Sequence, residues 1–268
     1  MSKVVFITGI SSGFGKHTSS LLAQKGYTVY GTCRKPCEHN PLVNVLILDV
    51  SDQAAVEKCI NQVLEKEGRI DVLINNAGMH TGGALEVAPY EDARLQIETN
   101  FMGFVYTIRS VLPAMRKQGN GTIVNVGSIG GLMGLPFQGY YSAGKFAIEG
   151  FSEVLRMELR QFNIKVVVIN PGDFHTHNTA NRKNVFISNN INAYEEQFRK
   201  TLVIIEKDEN GGWDPEILAR KMYNILEKKK PANRYVIASF EQKLAVWLKC
   251  MLPGSWFDGI LRSHYGIK

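Results

Sequence analysis

Cysteine is scarce in this chain, four residues in 268, at Cys33, Cys37, Cys59 and Cys250. So few thiols at such irregular spacing exclude a disulfide framework and imply a reducing, cytoplasmic setting. Proline is sparse too, at nine residues, and no apolar run approaches the length of a bilayer crossing. Residues 4–7 offer four apolar positions before Thr8 and Gly9, too few for a signal peptide, so the expectation is a chain that opens on a buried strand. Nor does charge of one sign dominate. A net +6 suits anionic small molecules without making a nucleic-acid stripe. The run Lys228-Lys229-Lys230 reads as the solvated end of a helix, and it lacks interleaved aromatics.

What the chain does have is 44% hydrophobic residues and 25 glycines, enough for one large core. Residues 4–7 form a continuous apolar run, the pattern of a parallel strand covered on both faces. A helix follows from Gly15 to a stop at Gly26, and 28–32 reads as a second strand. The alternation continues with strand 43–48, helix 53–67, strand 72–74, a long helix 90–116, strand 122–126, helix 141–161 and strand 165–169. This predicts an α/β fold, a Rossmann-type doubly wound parallel sheet in a single domain spanning 1–268. The texture then loosens into an Asn-rich stretch, 175–191, and a helical segment, 193–205, so 173–212 is expected to form a substrate lid. The tail, about 240–268, is amphipathic and basic. It suits packing against the body or a neighbouring subunit, with contact to a membrane surface as the alternative.

Thr8-Gly9-Ile10-Ser11-Ser12-Gly13-Phe14-Gly15 sits between the first strand and first helix, where glycines let backbone N–H groups approach a pyrophosphate. At the end of the second strand stands Arg34, with Lys35 beside it and Glu38 the nearest acid. A guanidinium there suits a ribose 2′-phosphate, so NADP(H) is the preferred cofactor, NAD(H) remains open, and Ser11 or Ser12 are helpers. Tyr141 and Lys145 are four residues apart in a predicted helix and share a face, while Ser128 follows the strand 122–126. A nearby ammonium turns a phenol into a proton donor or acceptor near neutrality. No metal is expected. His175 and His177 read as a solvated loop pair, Cys33 and Cys37 as reduced thiols, and His80 stands where it could border the pocket or do nothing there.

Together these residues resemble the short-chain dehydrogenase/reductase family over nearly the whole chain. The family's T-G-x-x-x-G-x-G turn matches Thr8 to Gly15, its N-N-A-G element matches Asn75-Asn76-Ala77-Gly78, and its helix asparagine matches Asn100. Its serine and Y-x-x-x-K match Ser128, Tyr141 and Lys145, and its P-G segment with a following threonine matches Pro171, Gly172 and Thr176. Phe14 replaces a commoner isoleucine, and Asp173, His175 and His177 make an unusual polar start to the lid.

The resemblance implies that Tyr141 is the acid in carbonyl reduction and the base in alcohol oxidation. It implies that Lys145 holds the nicotinamide ribose and lowers the phenol's pKa, that Ser128 binds the substrate oxygen, and that Asn100 holds a relay water. It places Asp49 and Val50 with Asn76, Ala77 and Gly78 around the adenosine, Ile10 and Gly9 to Gly15 at the pyrophosphate, and Ile169, Pro171, Gly172 and Thr176 near the nicotinamide. The substrate expected is a fairly hydrophobic carbonyl or alcohol, such as a steroid, retinoid, 3-oxoacyl group or simple ketone. Its pocket would be lined by Phe174, Val185, Phe186, Ile187, Ile191, Leu202, Ile204 and Ile205. Residues 29–34 and the basic tail are similar to the hydroxysteroid and retinol dehydrogenase branch. Pairing of the helices at 90–116 and 141–161 across subunits implies a homodimer or homotetramer. The contrasting possibility is a non-catalytic NADP(H) sensor or scaffold, which predicts a damaged proton-transfer set, whereas Asn100, Ser128, Tyr141 and Lys145 are all intact.

Overall fold

The computed structural model describes residues 2–176, 182–186 and 192–267. Its centre is a sheet of seven parallel strands: β1 (Val4–Thr8), β2 (Thr28–Cys33), β3 (Val43–Ile47), β4 (Val72–Asn75), β6 (Gly121–Val126), β7 (Ile164–Pro171) and β9 (Arg234–Ile237). They lie in the order β3-β2-β1-β4-β6-β7-β9. Each face is covered because successive side chains of β1 point to opposite sides. Val4 and Phe6 pack with α2 (Gln53–Glu67), α4 (Gly103–Gln118) and α5 (Gly139–Leu159), while Val5 and Ile7 pack with α1 (Gly13–Gln24) and α7 (Pro215–Leu226). The chain leaves β1 toward β2 on one side and β4 leads to β6 on the other. The carboxyl ends of β1 and β4 therefore open a crevice at the reversal of strand order.

The predicted strands and helices through residue 169 are found with small shifts of boundary, with one exception. The expected helix 90–116 is interrupted: α3 (Tyr90–Ile97) runs into a π-helical turn (Glu98–Met102) before α4 begins. The turn holds Asn100 fully buried, its amide bound to the backbone of Met79 on the neighbouring loop. Wide turns of this kind recur at functional sites because they re-aim a side chain without ending the helix.

Beyond residue 172 the expectations fare less well. The edge strand β9 and the small parallel pair β5 (Thr81–Gly82) and β8 (Lys183–Asn184) carry little two-residue signal, since each is fixed by pairing with distant residues, whereas α7, not anticipated, does carry a local signature in its Asp214 cap, Pro215 and apolar stripe. The helical segment of the lid is α6 (Glu195–Asn210). Lys228 to Lys230 do not end a helix: α7 stops at Leu226, with Glu227 as its cap, and the lysines lie in the connection to β9. The tail forms two helices, α8 (Phe240–Met251) and α9 (Gly254–His264). His177, Ile187 and Ile191 lie outside the described residues.

Candidate active site

The Gly-rich turn is stitched to the Asn-Ala-Gly loop. Thr8 Oγ1 accepts from the backbone N–H of Asn76 and of Ala77, both at 3.0 Å, and Asn76 Nδ2 donates to the carbonyls of Thr8 and Gly9 at 2.9 and 2.8 Å. Gly9 has φ +73°, and a Cβ there would fall 2.7 Å from Ala77 Cα, so both conformation and closeness demand glycine. Above this floor opens a cavity of about 930 Å³ at the carboxyl ends of the strands.

The cavity gathers most of the residues expected from the sequence. Gly9, Ser11, Ser12, Gly13, Phe14, Arg34, Val50, Asn76, Ala77, Gly78, Pro171, Gly172 and Thr176 line one part, and Asn100, Ser128, Tyr141 and Lys145 line another. Gly15 and Asp49 fall outside its described lining. A Cβ on Gly15 would stand 2.1 Å from the Gly9 carbonyl oxygen, so this glycine lets α1 pack on the turn. The Asp49 carboxylate bends back to accept from the N–H and hydroxyl of Ser51, at 3.0 and 2.7 Å. Ile10 and Ile169 are fully buried in the core. Of the expected apolar lining, Phe174 and Ile205 face the cavity. Val185 packs instead with Ala84 and Val87, and Phe186 sits 5.0 Å from the Phe198 ring.

Tyr141 and Lys145 are held by the first turns of α5. Burial pushes the Tyr141 phenol above its ordinary pKa; a hydrogen bond from Ser128 pulls it down, the Glu209 and Asp173 carboxylates raise it, and the Arg182 guanidinium lowers it. The Lys145 Nζ donates to the Val126 carbonyl at 2.8 Å and lies 5.8 Å from the Tyr141 ring centre. Burial lowers the Lys145 ammonium itself to about 8, with Glu149 opposing. Ser128 Oγ accepts the Gly130 N–H at 3.0 Å, leaving its hydroxyl hydrogen to donate. Its backbone carbonyl accepts from Asn170 Nδ2, which also donates to Glu149 Oε1, and Glu149 is salt-bridged to Arg234 of the edge strand. Asn100 spends both halves of its amide on Met79, accepting its N–H at 2.8 Å and donating to its carbonyl at 2.9 Å.

A second group around the phenol was not legible in the sequence. His80 is buried and stacks on Tyr141, its ring centre 4.4 Å away. Arg182 Nε donates to His80 Nδ1 at 3.3 Å, and its Nη2 pairs with Glu209 on α6. Burial, helped by the Arg182 and Lys145 charges, pushes the imidazole down to about 3, so it stays neutral. Asp173 accepts from Gln242 of α8, and burial beside Asp208 and Glu209 raises its carboxyl to about 6. Only the adjacency of His80 to the Asn-Ala-Gly element hinted at these contacts, because Arg182 and Glu209 reach the site from more than 100 residues further along the chain.

Comparison with known proteins agrees with this geometry. The family model described as short chain dehydrogenase matches residues 3–185. The chain is 44% identical over 266 residues to the 3-ketodihydrosphingosine reductase of Bacteroides thetaiotaomicron, covering 99% of each. It is 30% identical over 245 residues to the NADPH-dependent 3-dehydrocapnine reductase of Ornithobacterium rhinotracheale, covering 87% of each. Among solved structures, a short-chain dehydrogenase from Streptomyces avermitilis has a TM-score of 0.80 at 29% identity, over 98% of this chain and 93% of that one. The family model covers more than half of the chain and the curated relative nearly all of it, so the chain is an oxidoreductase belonging to the short chain dehydrogenase family.

Proposed function

We propose that this protein is an NADPH-dependent reductase of a ketone on a long-chain, amine-bearing substrate, with Tyr141 as the proton donor. The observation that carries this reading is the joint placement of Tyr141, Ser128, Lys145 and Asn100 on one cavity with Arg34 and the Gly-rich turn. The cavity suits a dinucleotide: Gly9, Ser11, Ser12 and Gly13 line it at the start of α1, where a pyrophosphate would meet a helix N-terminus, and Arg34 stands exposed at the end of β2, where a 2′-phosphate would lie. NADPH, when bound, supplies hydride to the carbonyl carbon.

The chain supplies the remaining steps. The Ser128 hydroxyl donates to the ketone oxygen and orients it beside the phenol. Tyr141 is protonated at neutral pH because burial raises it, and it gives that proton to the oxygen as charge develops there. Lys145 has donors beyond the one spent on Val126 with which to hold a ribose hydroxyl.

The substrate class rests on two features of the lining and on the relatives. Apolar side chains such as Met133, Leu135, Phe174 and Trp213 would take a chain, while Asp173 and Asp208 bring carboxylates that would face an ammonium group near the ketone. The printed activities of the two curated relatives, on 3-ketodihydrosphingosine and 3-dehydrocapnine, support the same class. Self-association belongs to this proposal as well: on α5, Phe146, Val154 and Met157 are 44, 50 and 70% exposed and would cover one another in a pair of subunits.

The test is NADPH oxidation by the purified protein with long-chain 2-amino-3-ketones, the matching ketones without the amine, and steroid and 3-oxoacyl ketones. Turnover is expected with the amino ketone first, and it should disappear in Tyr141→Phe. Equal turnover without the amine would remove the carboxylates from the reading, and no turnover with any ketone would overturn it.

A further inference from the structure

Helices α8 and α9 wall one side of the cavity through Gln242, Ala245, Ile260, Leu261 and Tyr265. Their facing sides pack around Phe257, which is fully buried. Their outer sides are not the polar surface that a helix on a soluble body normally presents. Phe240, Leu244, Trp247 and Met251 of α8 follow one another at steps of four, three and four residues, a single helical face, and are 77, 42, 56 and 62% exposed. Trp256 and Ile260 of α9, 68 and 43% exposed, flank a shallow groove shared with Leu252, and so extend the stripe. Lys243, between Phe240 and Trp247 in the helical net, and Arg262 on α9 are exposed cations at its margin.

We propose that α8 and α9 form an interfacial foot that seats on an anionic lipid surface, through which a long-chain ketone passes from the bilayer into the cavity. Isolated apolar side chains on a surface are ordinary, but a helix-spaced stripe with two tryptophans and cationic margins has the make-up of an interfacial helix. Tryptophan settles at the headgroup level, and lysine and arginine meet anionic headgroups, which the chain's net +6 also favours. Ile260 belongs to both surfaces, exposed beside the outer groove and lining the cavity, so the two adjoin there. No helix among the described residues is long and apolar enough to cross a membrane, so the contact is superficial and reversible. Self-association has its own apolar face on α5 and does not need this one. Substrate delivery rests on the reductase reading above; lipid binding does not.

The test is flotation of the full-length protein with vesicles of phosphatidylcholine alone and of phosphatidylcholine with phosphatidylglycerol, beside the double variant Trp247→Ala/Trp256→Ala. The wild type is expected to partition onto the anionic vesicles about tenfold better than onto neutral ones, and the variant to lose about tenfold. The variant should keep turnover of a water-soluble short-chain ketone and show a raised KM for a vesicle-borne long-chain one. The charge reversal Lys243→Glu/Arg262→Glu, which removes no apolar contact, should abolish the preference for anionic vesicles even if the tryptophan variant misfolds. Absence of flotation, equal flotation of all three proteins, or a subunit mass in light scattering that falls in the tryptophan variant would overturn the proposal; the last would make the stripe a subunit contact. Flotation without reduction of any ketone would instead sink the reductase reading and leave the surface standing.

Discussion

The His80 imidazole lies nearly parallel to the Tyr141 phenol, its ring planes 24° apart, and accepts at Nδ1 from Arg182. An imidazole that accepts at Nδ1 carries its proton on Nε2, so the tautomer as well as the position of the ring is set. His80→Ala is expected to lower kcat about tenfold by freeing the phenol to turn, with NADPH affinity unchanged. His80→Phe, which keeps the stack, should retain most of kcat. Stopped-flow hydride transfer with both variants decides: equal losses would show that stacking is not what positions Tyr141.

Tyr141→Phe removes only the transferable proton. Reduction should fall by about 10³-fold or more while NADPH still binds, as read by nucleotide fluorescence. In the wild type the raised phenol keeps its proton through neutral pH, so reduction should decline only in the alkaline range.

Arg34→Asp exchanges a partner for the 2′-phosphate for one that suits a ribose hydroxyl. The ratio of kcat/KM for NADPH over NADH should drop by about 100-fold, the scale of one charge-assisted contact turned repulsive. An unchanged ratio would assign cofactor choice to another residue.

Gly15→Ala places a methyl 2.1 Å from the Gly9 carbonyl oxygen and should cost the turn its shape, lowering both thermal stability and NADPH binding. Gly254→Ala is the control. It lies exposed at the start of α9 with nothing within 4 Å of the added carbon, and should raise stability by about 0.5–1 kcal/mol. Differential scanning of the two variants side by side checks the contrast.

Asp173 tests the acidic wall through pH. Its carboxyl is raised from 3.8 to about 6, so ionisation costs the fold progressively between those values and in full above pH 6. Asp173→Asn keeps a partner for Gln242 and removes that cost, so it should stabilise by about 1–3 kcal/mol at pH 8 and by almost nothing near pH 3.5. The same variant should raise KM for an amino ketone. Denaturant melts at the two pH values show the sign.

The sheet was legible because its strands are self-evident locally. Residues 4–7 and 166–169 are apolar throughout, and glycine or proline follows within two residues of each run. The core of the site was legible for a related reason: Tyr141 and Lys145 are one helical turn apart, and the Gly-rich turn is contiguous. What was not legible depends on long closures. Arg182 reaches His80 across 102 positions, and Arg234 reaches Glu149 across 85. Asp49 also accepts from a local partner, since Ser51 offers two donors to its Oδ1 two residues away, a contact that the strand pattern does not announce.

The π-helical turn at Glu98–Met102 amounts to one surplus residue in an otherwise continuous helix. Without it, every position of α4 would rotate by about 100° against α3, carrying Ile108, Val111 and Met115 off the sheet. The apolar stripes before and after the turn are therefore written in two different phases, and the chain can lose that residue only by re-spelling a whole helix. Asn100 is thus anchored by the grammar of its neighbours as firmly as by its own hydrogen bonds.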